Sequence, residues 1–174
     1  MPIFSSRRPK LEGLTREEEK RRDALNSEVL RRLGEKGLEG QAAAAVAVLR
    51  ERMTAEPAEQ LWPLLLGRQM MTMRRFGQAS DAFYAAVARD DSEVRGHYWA
   101  GMASYRAAEY KQDYGEAATQ EVAPADLTVE NLYQQALRHF RRAMELTPDK
   151  GERDELASSA AIVERALGRK RGRL

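Results

Sequence analysis

The sequence is first informative through what it lacks. Its 174 residues include no cysteine, which excludes disulfide bonds, thiolate catalysis and cysteine-ligated metal. Only six prolines are present, and no long alternation of β-branched and polar residues predicts a strand. The longest apolar run, AAAAVAVL at 42–49, is too short to span a bilayer, and the N-terminus has no apolar signal core. We therefore expect a soluble cytoplasmic protein.

The residues that are abundant favour helices. Alanine, leucine, glutamate and arginine dominate a chain that is 43% hydrophobic and 32% charged, which is a helical composition with enough apolar side chains for one core. TREE at 15–18 is a capping box, and Pro148 is a stop signal. Apolar periodicity predicts seven helices, at about 15–34, 40–54, 63–75, 78–90, 93–109, 129–147 and 152–168. Phe76 and Gly77 are predicted to form a turn.

An interval of 34 residues recurs in the middle of the chain. Leu66–Gly67 recurs as Ala100–Gly101, and Phe76 recurs as Tyr110. A second series recurs 57 residues later, which is the same interval enlarged by 23 residues; its members are Ala79, Phe83 and Ala86, then Ala136, Phe140 and Ala143. A repeat at this interval is typical of stacked helix pairs.

This register resembles the tetratricopeptide repeat (TPR) family, best over residues 60–150. The resemblance implies an all-α, right-handed helical-repeat array, a TPR-like α-solenoid of about seven helices with a C-terminal capping helix. In such an array the small residues Gly67 and Gly101 permit two helices to approach closely, and Phe83 or Phe140 fills the space beside them. An unrelated helical bundle is the alternative.

Charge divides the chain into a body and two ends. The net charge is +2 overall, but +3 in residues 1–10 and +5 in residues 165–174, which leaves −6 between them. We expect a basic N-terminal tail at 1–14, the helical-repeat domain at 15–168 with an insertion at about 111–128, and a basic C-terminal tail at 169–174. The tails either solubilise the protein or make weak contacts with nucleic acid or an anionic surface. The insertion is either a partner contact or a tolerated loop.

Signals for catalysis are scarce. His97 and His139 lie on different predicted helices without ligand-type neighbours in the sequence, so each is read as a packed or surface imidazole rather than a metal ligand. No glycine loop follows a strand to bind phosphate, and no acid–base constellation is evident. We expect no enzymatic activity, no cofactor and no metal.

The resemblance also implies a concave groove lined by the first helix of each unit. The residues expected to face it combine methionine, aromatic and arginine side chains: Leu64, Arg68, Met71, Thr72, Arg95, Tyr98, Met102, Tyr105 and Arg106. Methionine adapts to irregular apolar partners, and tyrosine and arginine are enriched in binding hot spots. Alternatively, the methionines and Tyr105 are core residues.

These features favour a non-catalytic adaptor or scaffold that binds a protein or peptide segment in the groove. The partner is expected to present apolar side chains with at least one acidic group. The alternative is a nucleic-acid- or ribosome-associated protein anchored by its basic termini.

Deletion of residues 1–10 and 169–174 together is expected to leave the thermal unfolding midpoint nearly unchanged, because neither end has an apolar face to bury. Circular dichroism during heating measures this. A truncated chain that unfolds would show that the ends are structural. A truncated chain that stays folded but loses binding to RNA, DNA or anionic vesicles would favour the nucleic-acid alternative.

Overall fold

The computed structural model describes residues 11–33, 38–115 and 126–171, and within these segments the chain forms seven α-helices and no strand. The all-α prediction is therefore confirmed. In chain order the helices are α1 Arg16–Leu33, α2 Leu38–Ala55, α3 Leu61–Thr72, α4 Phe76–Arg89, α5 Val94–Tyr114, α6 Val129–Leu146 and α7 Lys150–Arg171. Outside the described residues lie 1–10, the predicted helix-ending glycines at 34 and 37, residues 116–125 of the insertion, and 172–174.

Local signals in the sequence set several helix ends. At the start of α1, Thr15 Oγ1 accepts a hydrogen bond from the Glu18 amide at 3.2 Å, and the Thr15 amide donates to Glu18 Oε2 at 2.7 Å. This is the reciprocal capping box that the sequence predicts. Thr128 caps α6 by accepting from the Asn131 amide at 3.1 Å, and α6 ends at Leu146, before Pro148.

Two boundaries differ from the predictions. Phe76 and Gly77, predicted as a turn, begin α4, and the turn lies at residues 73–75 instead. There Arg74 adopts φ 57°, a left-handed conformation that reverses the chain at the end of α3. Helix α5 continues to Tyr114, five residues beyond its predicted end, so the start of the insertion extends this helix.

Two glycine–phenylalanine contacts set the closest approaches between helices. A Cβ atom placed on Gly67 of α3 would lie 2.6 Å from Cδ1 and Cζ of Phe83 on α4. A Cβ atom placed on Gly101 of α5 would lie 2.8 Å from Cε1 of Phe140 on α6. Both phenylalanines are buried. The same small-to-large contact thus recurs in the α3–α4 and α5–α6 pairs, at the positions that the repeat register predicts.

The helices pack in chain order, each against the next, and α3 also contacts α5. One apolar cluster joins α1–α4 to the start of α5, and a second joins α5–α7 to Leu11. Trp99 on α5 packs against both clusters and stacks on Phe83, with ring centroids 5.9 Å apart. Helix α5 is therefore the element shared by the two halves of the core.

Within the described residues, no helix combines the length and apolar character that crossing a bilayer requires.

Gly67→Ala is expected to lower the free energy of unfolding by roughly 1–3 kcal/mol, because the new methyl group must displace the Phe83 ring in a packed core. Urea denaturation measures the change. Gly168→Ala is the matched control: it lies on α7 with no atom within 4 Å of the added Cβ, so it is expected to be neutral or to stabilise by up to about 1 kcal/mol. Equal effects of the two substitutions would contradict the proposed role of the Gly67–Phe83 contact.

Candidate functional site: the cleft between α3 and α5

The predicted groove residues of α5 follow one another at helical spacing, and the structure divides them into a covered half and an open half. Arg95 and Tyr98 stand at the N-terminal end of α5, and Tyr105 and Arg106 stand two turns later. Residues 11–14 lie against the N-terminal half, so only the C-terminal half is open.

Tyr98 is the clearest correction to the predicted groove. It is only 4% exposed, because Leu11 packs in the same apolar cluster and covers it. The Tyr98 hydroxyl donates to Glu12 Oε1 at 3.1 Å, and burial followed by the Glu12 charge raises the pKa of Tyr98 above its usual value. Residues 11–14, assigned from the sequence to a basic tail, therefore belong to the folded body.

Arg95 is also occupied by the chain itself. Its guanidinium donates to Glu18 at 2.7 and 2.9 Å, to Glu93 at 2.9 Å and to the Gly13 carbonyl oxygen at 3.3 Å. Burial raises the pKa of Glu18, but hydrogen bonds from Arg95 and Thr15 outweigh it, so the net pKa is lowered. Arg95 thus joins α1 to α5 and is not an open cation in the groove.

On α3, the predicted residues separate in a similar way. Leu64 is 3% exposed and lies in the first apolar cluster, which corrects its assignment to the groove surface. Its neighbours in the apolar run around it are equally buried, so this turn of α3 faces the core. Arg68 is half-buried, with its guanidinium 5.3 Å from the centre of the Trp99 ring. Met102 of α5 is half-buried against the second cluster.

The open half is a cleft of about 440 Å³ between the C-terminal ends of α3 and α5. We call it the α3–α5 cleft. Met71, Thr72 and Arg106, all predicted from the sequence, line it together with residues that were not predicted. The full lining is Met71, Thr72, Arg74, Phe76, Arg106, Glu109, Tyr110, Asp113 and Tyr114. Tyr105 lies next to this surface, half-buried against the second cluster.

Aromatic rings form one wall of the α3–α5 cleft. Phe76 meets Tyr110 edge to face at 6.3 Å, and Tyr110 packs on Tyr114 at 4.4 Å. Tyr114 is 60% exposed. A ring that is held by a neighbouring ring and still presents its own face to solvent is suited to contact an apolar side chain at little entropic cost.

Charged groups of both signs line the opposite side. Arg106 donates to Glu109 Oε2 at 2.8 Å and lies over the Tyr105 ring. The Tyr105 hydroxyl also donates to Glu109, and burial and this hydrogen bond raise the pKa of Tyr105 to about 12. Arg74, exposed at the left-handed turn, adds a second cation. The cleft therefore presents an aromatic wall, a methionine and two arginines.

Sequence reasoning missed the aromatic wall for identifiable reasons. Phe76 was read as a turn residue and Tyr114 as part of the insertion. Tyr110 was read only as the counterpart of Phe76 in the repeat. The available signal was the spacing of four residues between Tyr110 and Tyr114, which places both rings on one face if α5 continues past 109.

A histidine pair was also missed, because its members are 42 residues apart in sequence. His97 Nδ1 lies 3.1 Å from His139 Nδ1, between α5 and α6. His97 Nε2 faces the backbone oxygen and Oδ1 of Asp91, at 3.1 and 3.2 Å. Since both Asp91 atoms are acceptors, His97 carries a proton on Nε2. The two rings are then both neutral when His139 donates across the pair.

Burial and the neighbouring His97 lower the pKa of His139 to about 4. Between pH 6.5 and 4 the unfolded chain therefore takes up a proton that the folded chain does not, and stability falls as the pH falls. His139→Asn, which keeps a donor near the Nδ1 position, is expected to remove roughly 2–3 kcal/mol of this loss. Urea denaturation at several pH values in this window measures it. An unchanged pH dependence would show that His139 titrates normally.

No group of three or more histidine, aspartate or glutamate side chains converges as a metal site in the segments that the structure describes. Comparison of the chain with protein-family models gives no match, and comparison with curated proteins gives none.

Proposed function

We propose that this protein is a non-catalytic adaptor that binds a segment of a partner protein along α5, with the α3–α5 cleft as the main contact. The observation that carries the proposal is the exposed aromatic and arginine lining of this cleft, held on packed helices. Aromatic and arginine side chains in a concave surface are the features of binding hot spots. The proposed scaffold is a right-handed TPR-like array, a proposal supported by the two glycine–phenylalanine contacts in the 34-residue register.

The chemistry of the cleft specifies the kind of partner. Met71 and the rings of Tyr110 and Tyr114 suit an apolar side chain, and Arg74 and Arg106 suit an acidic residue beside it. Glu109 already accepts from Arg106, so a partner carboxylate competes for that arginine. We therefore propose a segment that combines large apolar residues with at least one carboxylate.

Arg106→Glu combined with Tyr114→Ala tests this function. Both side chains are largely exposed, so the fold is expected to persist. Loss of the aromatic contact and reversal of the charge should weaken partner binding by roughly 10- to 100-fold. Quantitative affinity capture from native cells identifies the partner, and titration of the purified partner measures the change.

Arg165→Glu combined with Ile162→Ala is the matched control, because it makes the same kinds of change at exposed positions of α7. The control should retain wild-type affinity. A partner that binds the cleft variant as tightly as the wild type would exclude the cleft. A bound nucleic acid that is released steeply by salt would instead support the nucleic-acid alternative, since phosphate contacts release counterions.

A further inference from the structure

The segment at residues 11–14 lies on the protein in the manner of a bound peptide. It has no helical structure, and its two leucines reach different parts of the core. Leu11 is 1% exposed within the second apolar cluster, whereas Leu14 packs against the first. The segment therefore crosses the boundary between the two halves of the fold, alongside the N-terminal half of α5.

Polar contacts fix the segment on the α5 residues that the sequence assigns to partner binding. Tyr98 donates to the Glu12 carboxylate, and Arg95 donates to the Gly13 carbonyl oxygen. An apolar anchor, a carboxylate on a tyrosine hydroxyl and a backbone oxygen on an arginine are the contacts expected of a docked peptide segment.

The attachment is local and partly solvated. Glu12 is exposed, Gly13 and Leu14 are half-buried, and Leu11 alone is fully buried. An open cleft of about 500 Å³ runs beside the segment, bounded by Leu11, Gly13, Val94, Arg95 and Glu152 among others. Segments with few buried contacts open at lower free energy than the helices beneath them.

We propose that residues 11–14 are an intramolecular pseudo-ligand, which occupies the N-terminal half of the α5 face and is displaced by a partner segment carrying a leucine-like side chain followed by a carboxylate. The proposal rests on the proposed function, since it concerns the same face of α5. Partner binding then requires this segment to leave. Its release extends the binding surface from the α3–α5 cleft to Arg95 and Tyr98, about 12 Å or more farther along the helix.

A labelled peptide of residues 9–16, PKLEGLTR, tests the displacement directly. The full chain carrying Leu11→Ala and Glu12→Ala, checked for an unchanged helical spectrum, is expected to bind this peptide about tenfold or more tightly than the wild type, because the competing segment is weakened. A peptide with the same two alanines should not bind, and adding Tyr98→Phe to the chain should reduce the gain. Absence of peptide binding to the folded double variant would overturn the proposal.

A second measurement does not depend on that variant. Because the chain has no cysteine, Leu11→Cys and Leu132→Cys each introduce one thiol, at positions that are both 1% exposed in the same cluster. Local opening predicts that a thiol reagent modifies position 11 about tenfold or more faster than position 132, at a rate nearly independent of low urea. Equal rates with equal urea dependence would show that the segment leaves only when the whole protein unfolds, and would overturn the proposal.

These outcomes are separable from the test of the proposed function. The peptide reports on Arg95 and Tyr98, whereas the cleft variant changes Arg106 and Tyr114. Peptide binding without any cleft-dependent partner would contradict the proposed function alone.

Discussion

Close contact between a glycine on one helix and a phenylalanine ring on the next is the constraint on which the arrangement depends. Gly67 accepts the ring of Phe83, and Gly101 accepts the ring of Phe140, with no room for a Cβ atom in either case. The contact fixes how far each helix pair can approach and how each helix is rotated about its own axis. Once α5 is fixed in this way by α6, its residues toward α3 and the N-terminus are determined too.

That rotation of α5 places the candidate site. The same helix supplies core residues to both apolar clusters and presents Arg95, Tyr98 and Arg106 along one side. Its N-terminal half meets residues 11–14 and Glu18, which form an ion pair and hydrogen bonds with it. Its C-terminal half meets α3 only at Met71 and Thr72 and stays open. A single helix thus carries both a self-occupied surface and an exposed one.

Particular residues show how much of the site could be predicted from the sequence. Met71, Thr72 and Arg106 could be assigned to an exposed surface from helical spacing and the repeat register. Leu64 and Tyr98 could not be distinguished from them by periodicity, because burial depends on which other segment lies across that face. The cover over Tyr98 comes from Leu11, more than eighty residues earlier, and a local pattern contains no information about such a contact. The His97–His139 pair was hidden for the same reason.

The sequence by itself determined the helical class, most helix boundaries and the small-to-large register, because capping, proline stops and apolar spacing act within a few residues of the chain. It also set the chemistry available to the site, a mixture of methionine, tyrosine and arginine. Only the tertiary structure decided which of those side chains are accessible, which carboxylate pairs with Arg95, and that Phe76, Tyr110 and Tyr114 form one wall. Accessibility and ion pairing are properties of segments that meet in space, and long-range contacts between α5, α3 and the N-terminal segment establish them.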